Sequence, residues 1–418
     1  MHRSLLLIAL VACQGAGKST PAPAPEAPEA TGPVELPSKG LDEDLAAHEA
    51  FIDTRPTYER PLRVTGLEKV EGLADLSART CMACHTEIHA EWSVSVHAQA
   101  WVDPQYQKEI GKSGNRWLCL NCHTPLLTQQ DTWPVGLLDD DVERPQLVPN
   151  PVYDAALREE GITCAACHVQ GDTIAGPGLG PEGGPSEAAP HPVKVDAAFR
   201  DATLCLTCHQ AEATYAGKTF ICTFQTGDEW KAGPYDDEGK NCITCHMPST
   251  ERPVVPWGEP KRVGRHWWRG AGIPKFEGTY PPAEANPFGL EVTAKVDGDE
   301  LVIDYRNAHA GHMLPSGDPE RWVQLDVRFE GPDGPVGDAW QHKIRQEWVW
   351  EAPPRKVSDN RLKPREGRTE RLAIPEGATA AVVQASNHRI SKQNAEYHHL
   401  GDYPRSVQVH DERIDLAP

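Results

Sequence analysis

Five times in this chain, two cysteines stand three positions apart with a histidine directly after the second. They are Cys81, Cys84 and His85; Cys119, Cys122 and His123; Cys164, Cys167 and His168; Cys205, Cys208 and His209; and Cys242, Cys245 and His246. Two thiols and an imidazole at this spacing form the attachment signal for a c-type haem. The thiols make thioether bonds to the porphyrin, and the imidazole is a proximal ligand to its iron. With 12 Cys and 18 His in 418 residues, chance would give roughly 0.015 such motifs, so five are not accidental. Zinc sites pair Cys-x-x-Cys units without requiring that histidine, and a disulfide framework has no use for it. The sequence therefore predicts five covalently attached haem c groups, at sites I to V in chain order.

Each iron keeps one axial position after its proximal histidine. A second histidine there makes a six-coordinate, low-spin centre suited to electron transfer, whereas an open position admits a substrate. His2 falls in the leader, which leaves twelve histidines as candidates for that second position.

Around these motifs the sequence resembles the cytochrome c554-type multihaem family. Cys81 to His85 is followed by Glu91, Trp92 and the segment Ser95-Val96-His97-Ala98. Cys222, Thr226, Glu229 and Trp230 precede the fifth motif, which continues into Met247 and Pro248. Asn307 to Pro319 contains Gly311-His312-Met313-Leu314-Pro315. The matches span roughly residues 80–320. The resemblance implies an electron carrier, with relatives that act on hydroxylamine, nitrite or tetrathionate. By position it makes His97 and His312 distal ligands. His266 joins them through its aromatic neighbours Trp267 and Trp268, and His191, before Pro192, is the fourth. His342, His388 and His410 read as surface or hydrogen-bonded residues. His89 stands where relatives carry an aromatic residue and His309 where they carry glycine. Only His48, His398, His399 and Met247 remain for a fifth iron, so one haem is expected to be a candidate for five-coordination. Cys222 reads as a small buried apolar residue.

The elements that must position these groups fall into two parts. Residues 41–285 carry all five motifs, their first cysteines 38, 45, 41 and 37 residues apart. Short helices joined by long loops are expected here, with haem itself supplying apolar core. From residue 286 the pattern changes to period two: Leu290, Val292, Ala294 and Val296, then Leu301, Ile303 and Tyr305 after the Asp297-Gly298 turn, then Val323 to Phe329. Further strands are expected near 371–374 and 380–385. The fold class is thus α+β: a loop-rich, mainly α-helical multihaem domain, then a C-terminal antiparallel β-sandwich-like domain at 286–418.

The N-terminus reads as a secretory signal over residues 1–12. Leu10-Val11-Ala12-Cys13 resembles a bacterial lipobox, which implies lipid attachment at Cys13. Residues 13–40, rich in Pro and Ala, read as a tether. Ala12 to Ser19 fits a loose phosphate-loop expression but lacks the strand and helix such a loop needs. These features predict an exported, periplasmic or cell-surface protein, anchored by lipid to the outer membrane. The formal net charge of −20 and the want of a basic patch argue against nucleic acid as partner. Other redox proteins are the expected partners: cytochromes, or a quinol oxidase or reductase. Exposed strand edges would also allow an oligomer or polymer. Electron transfer ranks ahead of catalysis, because all five motifs end in histidine. The alternative is an oxidoreductase with one open haem, acting on hydroxylamine, nitrite or tetrathionate.

Overall fold

Alternation of apolar residues becomes two antiparallel sheets in the C-terminal part. The computed structural model describes residues 32–55, 64–111, 116–180, 183–184, 189–215, 219–276, 278, 287–349 and 355–416. The leader, Cys13, the first part of the tether and the 285/286 boundary lie outside them, as does the side chain of Cys222. One sheet joins Leu290–Asp297, Glu300–Asn307 and Gly367–Ala373 in that order. The other runs Arg355–Asp359, Gly334–Val349, Trp322–Gly331, Ala380–His388 and Ser406–Asp415. Leu301, Ile303 and Tyr305 of the first sheet meet Val323, Leu325, Val327, Ala381, Val383 and Ala385 of the second in one apolar core. Every second residue points inward, as the pleat requires.

Residues before 277 are built differently. The motif cysteines sit on short helices, among them Arg116–His123, Cys164–His168, Thr203–His209 and Cys242–His246. Residues i, i+3 and i+4 share one helix face, so such a turn presents both thiols and the imidazole to the same side. Four small sheets stand between them, which the expected pattern of helices and loops omitted. They are built around Thr132–Leu137 with Pro145–Pro149, Thr173–Gly176 with Val193–Val195, Ala211–Tyr215 with Thr219–Phe224, and Ser249–Arg252 with Lys261–Gly264. The tether ends earlier than composition suggests, because Val34 and Glu35 pair with Gln146 and Leu147.

Apolar side chains form only small separate clusters in this part, such as Trp101, Tyr106, Ile110 and Leu120. Residues 32–418 nevertheless form one compact unit. Polar side chains tie its two parts together. Arg389 donates to Pro274 O at 3.1 Å and to Tyr403 Oη at 2.7 Å, and Tyr403 donates to Asp103 Oδ1 at 2.7 Å. Among the described residues no helix is long and apolar enough to cross a membrane.

Candidate metal centres

Four of the five proximal histidines face a second imidazole. His85 and His191 have ring centres 6.5 Å apart. The pairs His97–His209, His168–His266 and His246–His312 each lie at 6.3 Å. Two imidazoles held on opposite sides of one metal, with bonds of about 2.0 Å and about 1.1 Å from ring centre to nitrogen, would have centres about 6.2 Å apart. The observed spacing would suit such a shared metal and is too long for ring stacking. The residues therefore fit haem. The four histidines expected from the sequence as distal ligands each lie across from a motif histidine: His191 at site I, His266 at site III, His97 at site IV and His312 at site V.

Site II has no such pair among the described residues. The His123 ring instead lies flat against Tyr106, centres 3.7 Å apart and planes 2° from parallel. That contact covers a ring face and leaves the metal-binding nitrogen free. Two of the histidines weighed for a fifth iron have other partners. His48 bonds Pro134 O at 2.9 Å beside Trp133, and His398 meets Glu109 at 3.1 Å.

Hydrogen bonds fix the ring orientation. The Nδ1 atoms of His123 and His168 lie 2.8 Å from the carbonyls of Ala100 and Ala175, and that of His85 lies 3.1 Å from Val254 O. Those of His266 and His312 lie 3.1 and 2.8 Å from Gly264 O and Met313 O. A carbonyl can only accept, so Nδ1 carries the proton and Nε2 keeps its lone pair for a metal. Burial holds the rings neutral, which is the ligating form. It lowers His97 and His266 to about 3 and His123 and His246 to about 4. Burial also lowers His209, although that ring is exposed by surface area.

Two buried carboxylates brace the distal ligands. Glu91 accepts from Arg252 twice at 2.8 Å, from Arg265 at 2.6 Å and from the backbone N–H of His266 at 2.9 Å. Glu229 accepts from Arg361 at 2.7 Å and from Ser316 at 2.6 Å. Asn307, fully buried, donates to His312 O at 2.8 Å and so folds the loop that carries that ligand. Free thiols of different motifs also come within hydrogen-bonding reach: Cys81 of Cys164, Cys122 of Cys208, and Cys205 of Cys242. Cys167 lies within electrostatic reach of Cys208. Site I thus neighbours III, III neighbours IV, and IV neighbours both II and V.

Paired thiols and facing imidazoles of this kind are the groups that a multihaem c-type cytochrome would use. Residues 80–143 match the family described as cytochrome c554 and c-prime. The fold is similar to the crystal structure of a penta-heme cytochrome c552 from Thermochromatium tepidum, with a TM-score of 0.57 and 19% identity. That similarity covers 87% of this chain and 100% of the other. No curated protein sequence matches the chain. The resemblance to cytochrome c554-type multihaem cytochromes is borne out, and haem c is the cofactor that this class of protein carries.

Proposed function

We propose that the protein carries electrons between redox partners through haem c bound at all five sites. Four matched imidazole pairs support this reading most directly. A pair of neutral imidazoles leaves no room for a substrate at the iron, so sites I, III, IV and V are suited to exchanging electrons and nothing else. Haem supplies the reversible one-electron couple; the protein supplies its axial ligands, its burial and the neighbouring of one site with the next. The C-terminal β-domain donates His312 and so completes site V. Cys13 is the proposed lipid anchor, which would hold the body at the outer membrane, in the periplasm or at the cell surface.

The acidic surface favours a basic partner. Mixing the reduced, haem-loaded protein with an oxidised basic cytochrome should reoxidise five haem equivalents per chain. The rate should fall as ionic strength rises from 0.01 to 0.15 M, over which the screening length shortens from about 30 to about 8 Å. Absence of exchange at either ionic strength would refute the proposal. A second reading rests on site II, where His123 has no partner imidazole among the described residues: an open iron acting on hydroxylamine, nitrite or tetrathionate. It requires turnover that is lost when His123 is replaced while the other four sites stay loaded.

A further inference from the structure

The stretch 97–106 touches site II twice and site IV once. Ala100 O accepts from His123 Nδ1 at 2.8 Å, and the Tyr106 ring lies flat on the His123 imidazole with centres 3.7 Å apart. His97, three residues before Ala100, faces His209. Between Ala100 and Tyr106 lies Asp103, 5% exposed. It holds the stretch together from within. Its backbone N–H donates to Gln99 O at 3.1 Å, and its carbonyl accepts from the backbone N–H of Gln107 at 3.0 Å. Its Oδ1 accepts from the backbone N–H of Gln105 at 3.2 Å and so caps the helix Pro104–Glu109, which carries Tyr106.

The same carboxylate is gripped from the C-terminal part. Tyr403 donates to Oδ1 at 2.7 Å, and Lys275 pairs with Oδ2. Tyr403 is 6% exposed and clusters with Ile390, Ala395 and Leu400. Its Oη accepts in turn from Arg389 at 2.7 Å, and that guanidinium also donates to Pro274 O at 3.1 Å and to Ile273 O. Arg389 directly follows the strand Ala380–His388, so the large sheet fixes where this network ends. His97 is held from another side. Its carbonyl accepts from the backbone N–H of Ile162 at 3.0 Å, and its ring lies 4.5 Å from that of Trp268.

A buried polar network whose members are all partnered makes rigid what it touches. A carbonyl that accepts from Nδ1 fixes an imidazole and raises its basicity toward a metal. We propose that Asp103 is a positioning residue for site II: through it the C-terminal part holds Ala100 and Tyr106 against His123, and so sets the proximal bond and the reduction potential of the haem there. This rests on the reading of site II as loaded with haem. A more basic imidazole stabilises the oxidised iron, so a looser grip favours reduction.

Redox titration of the loaded wild type, Tyr106→Leu, Tyr403→Phe and Asp103→Asn, followed by absorbance, tests the assignment. Tyr106→Leu strips the ring from His123, and the one haem whose potential it moves is that of site II. Tyr403→Phe removes only the hydroxyl that donates to Asp103. It should make that same haem about threefold easier to reduce, an upward shift of about 28 mV for a one-electron couple, and leave the other potentials unmoved. Asp103→Asn keeps an oxygen for Gln105 and Tyr403 but loses the charge that pairs with Lys275, so it should move that haem in the same direction. A Tyr403→Phe protein that melts lower with every potential unmoved makes Asp103 a structural anchor alone and overturns the inference. So does a shift shared by all the haems, or one confined to a haem that Tyr106→Leu leaves alone. The mass of the proteolytic peptide that holds Cys119 and Cys122 tests the underlying reading separately. A bare peptide from the wild type refutes both, whereas a loaded one with unmoved potentials refutes only the positioning role.

Discussion

A histidine's role is decided by what its two ring nitrogens meet. His97, His191, His266 and His312 face a partner ring at metal-sharing distance; His398 instead turns its Nε2 to Glu109 at 3.1 Å. Acid should separate the four distal ligands, because a proton competes with iron for the same nitrogen. A pKa lowered by burial means that the proton wins only at lower pH. His97 and His266, held at about 3, should be the last to leave. His191 is half-buried, on a loop, with its Nδ1 at 3.4 Å from Pro192 O. Acidification of the oxidised protein should therefore convert site I to high spin first, and sites III and IV last, as read by absorbance and spin resonance. Simultaneous loss at all sites would contradict this. The histidines that face the motif histidines stand out in sequence by their neighbours, such as the Ser95 to Ala98 segment. Their pairing was not legible, because partners such as His97 and His209 are remote along the chain.

Elements hold these rings through buried charge. Glu91 leaves the helix Thr86–Ser93 to grip Arg252, Arg265 and the backbone of His266. Glu91 and Arg252 are each 5–6% exposed, so removing one partner strands the other in a poor solvent for charge. Glu91→Ala should cost roughly 3–5 kcal/mol of stability and loosen His266 at site III. Thermal unfolding and the low-spin signal of that site should fall together; an unchanged melting temperature would contradict the role. The strands from residue 290 onward were legible because period two survives in a half-buried sheet. The small sheets among the motifs were not, since strands such as Val193–Val195 are too short to show a period. The Glu91 clamp was hidden for the same reason as the His pairs: its partners come from a distant hairpin.

The whole molecule joins two ways of making a core. The C-terminal sheets bury side chains against side chains, whereas the first part gathers only small apolar clusters between its motif cysteines and histidines. Neighbouring thiols join the sites into one connected set, with site IV next to II, III and V. The motif spacing of 37–45 residues gives no hint of that order. A connected set of closed sites with one open member is the central claim. The most direct measurement is an electron paramagnetic resonance spectrum of the oxidised, fully loaded protein, with and without nitrite, hydroxylamine or cyanide. The account predicts low-spin signals for four irons that ignore these ligands, and one high-spin signal, from site II, that one of them abolishes. Five low-spin irons would contradict the open site, and two or more high-spin irons would contradict the imidazole pairs.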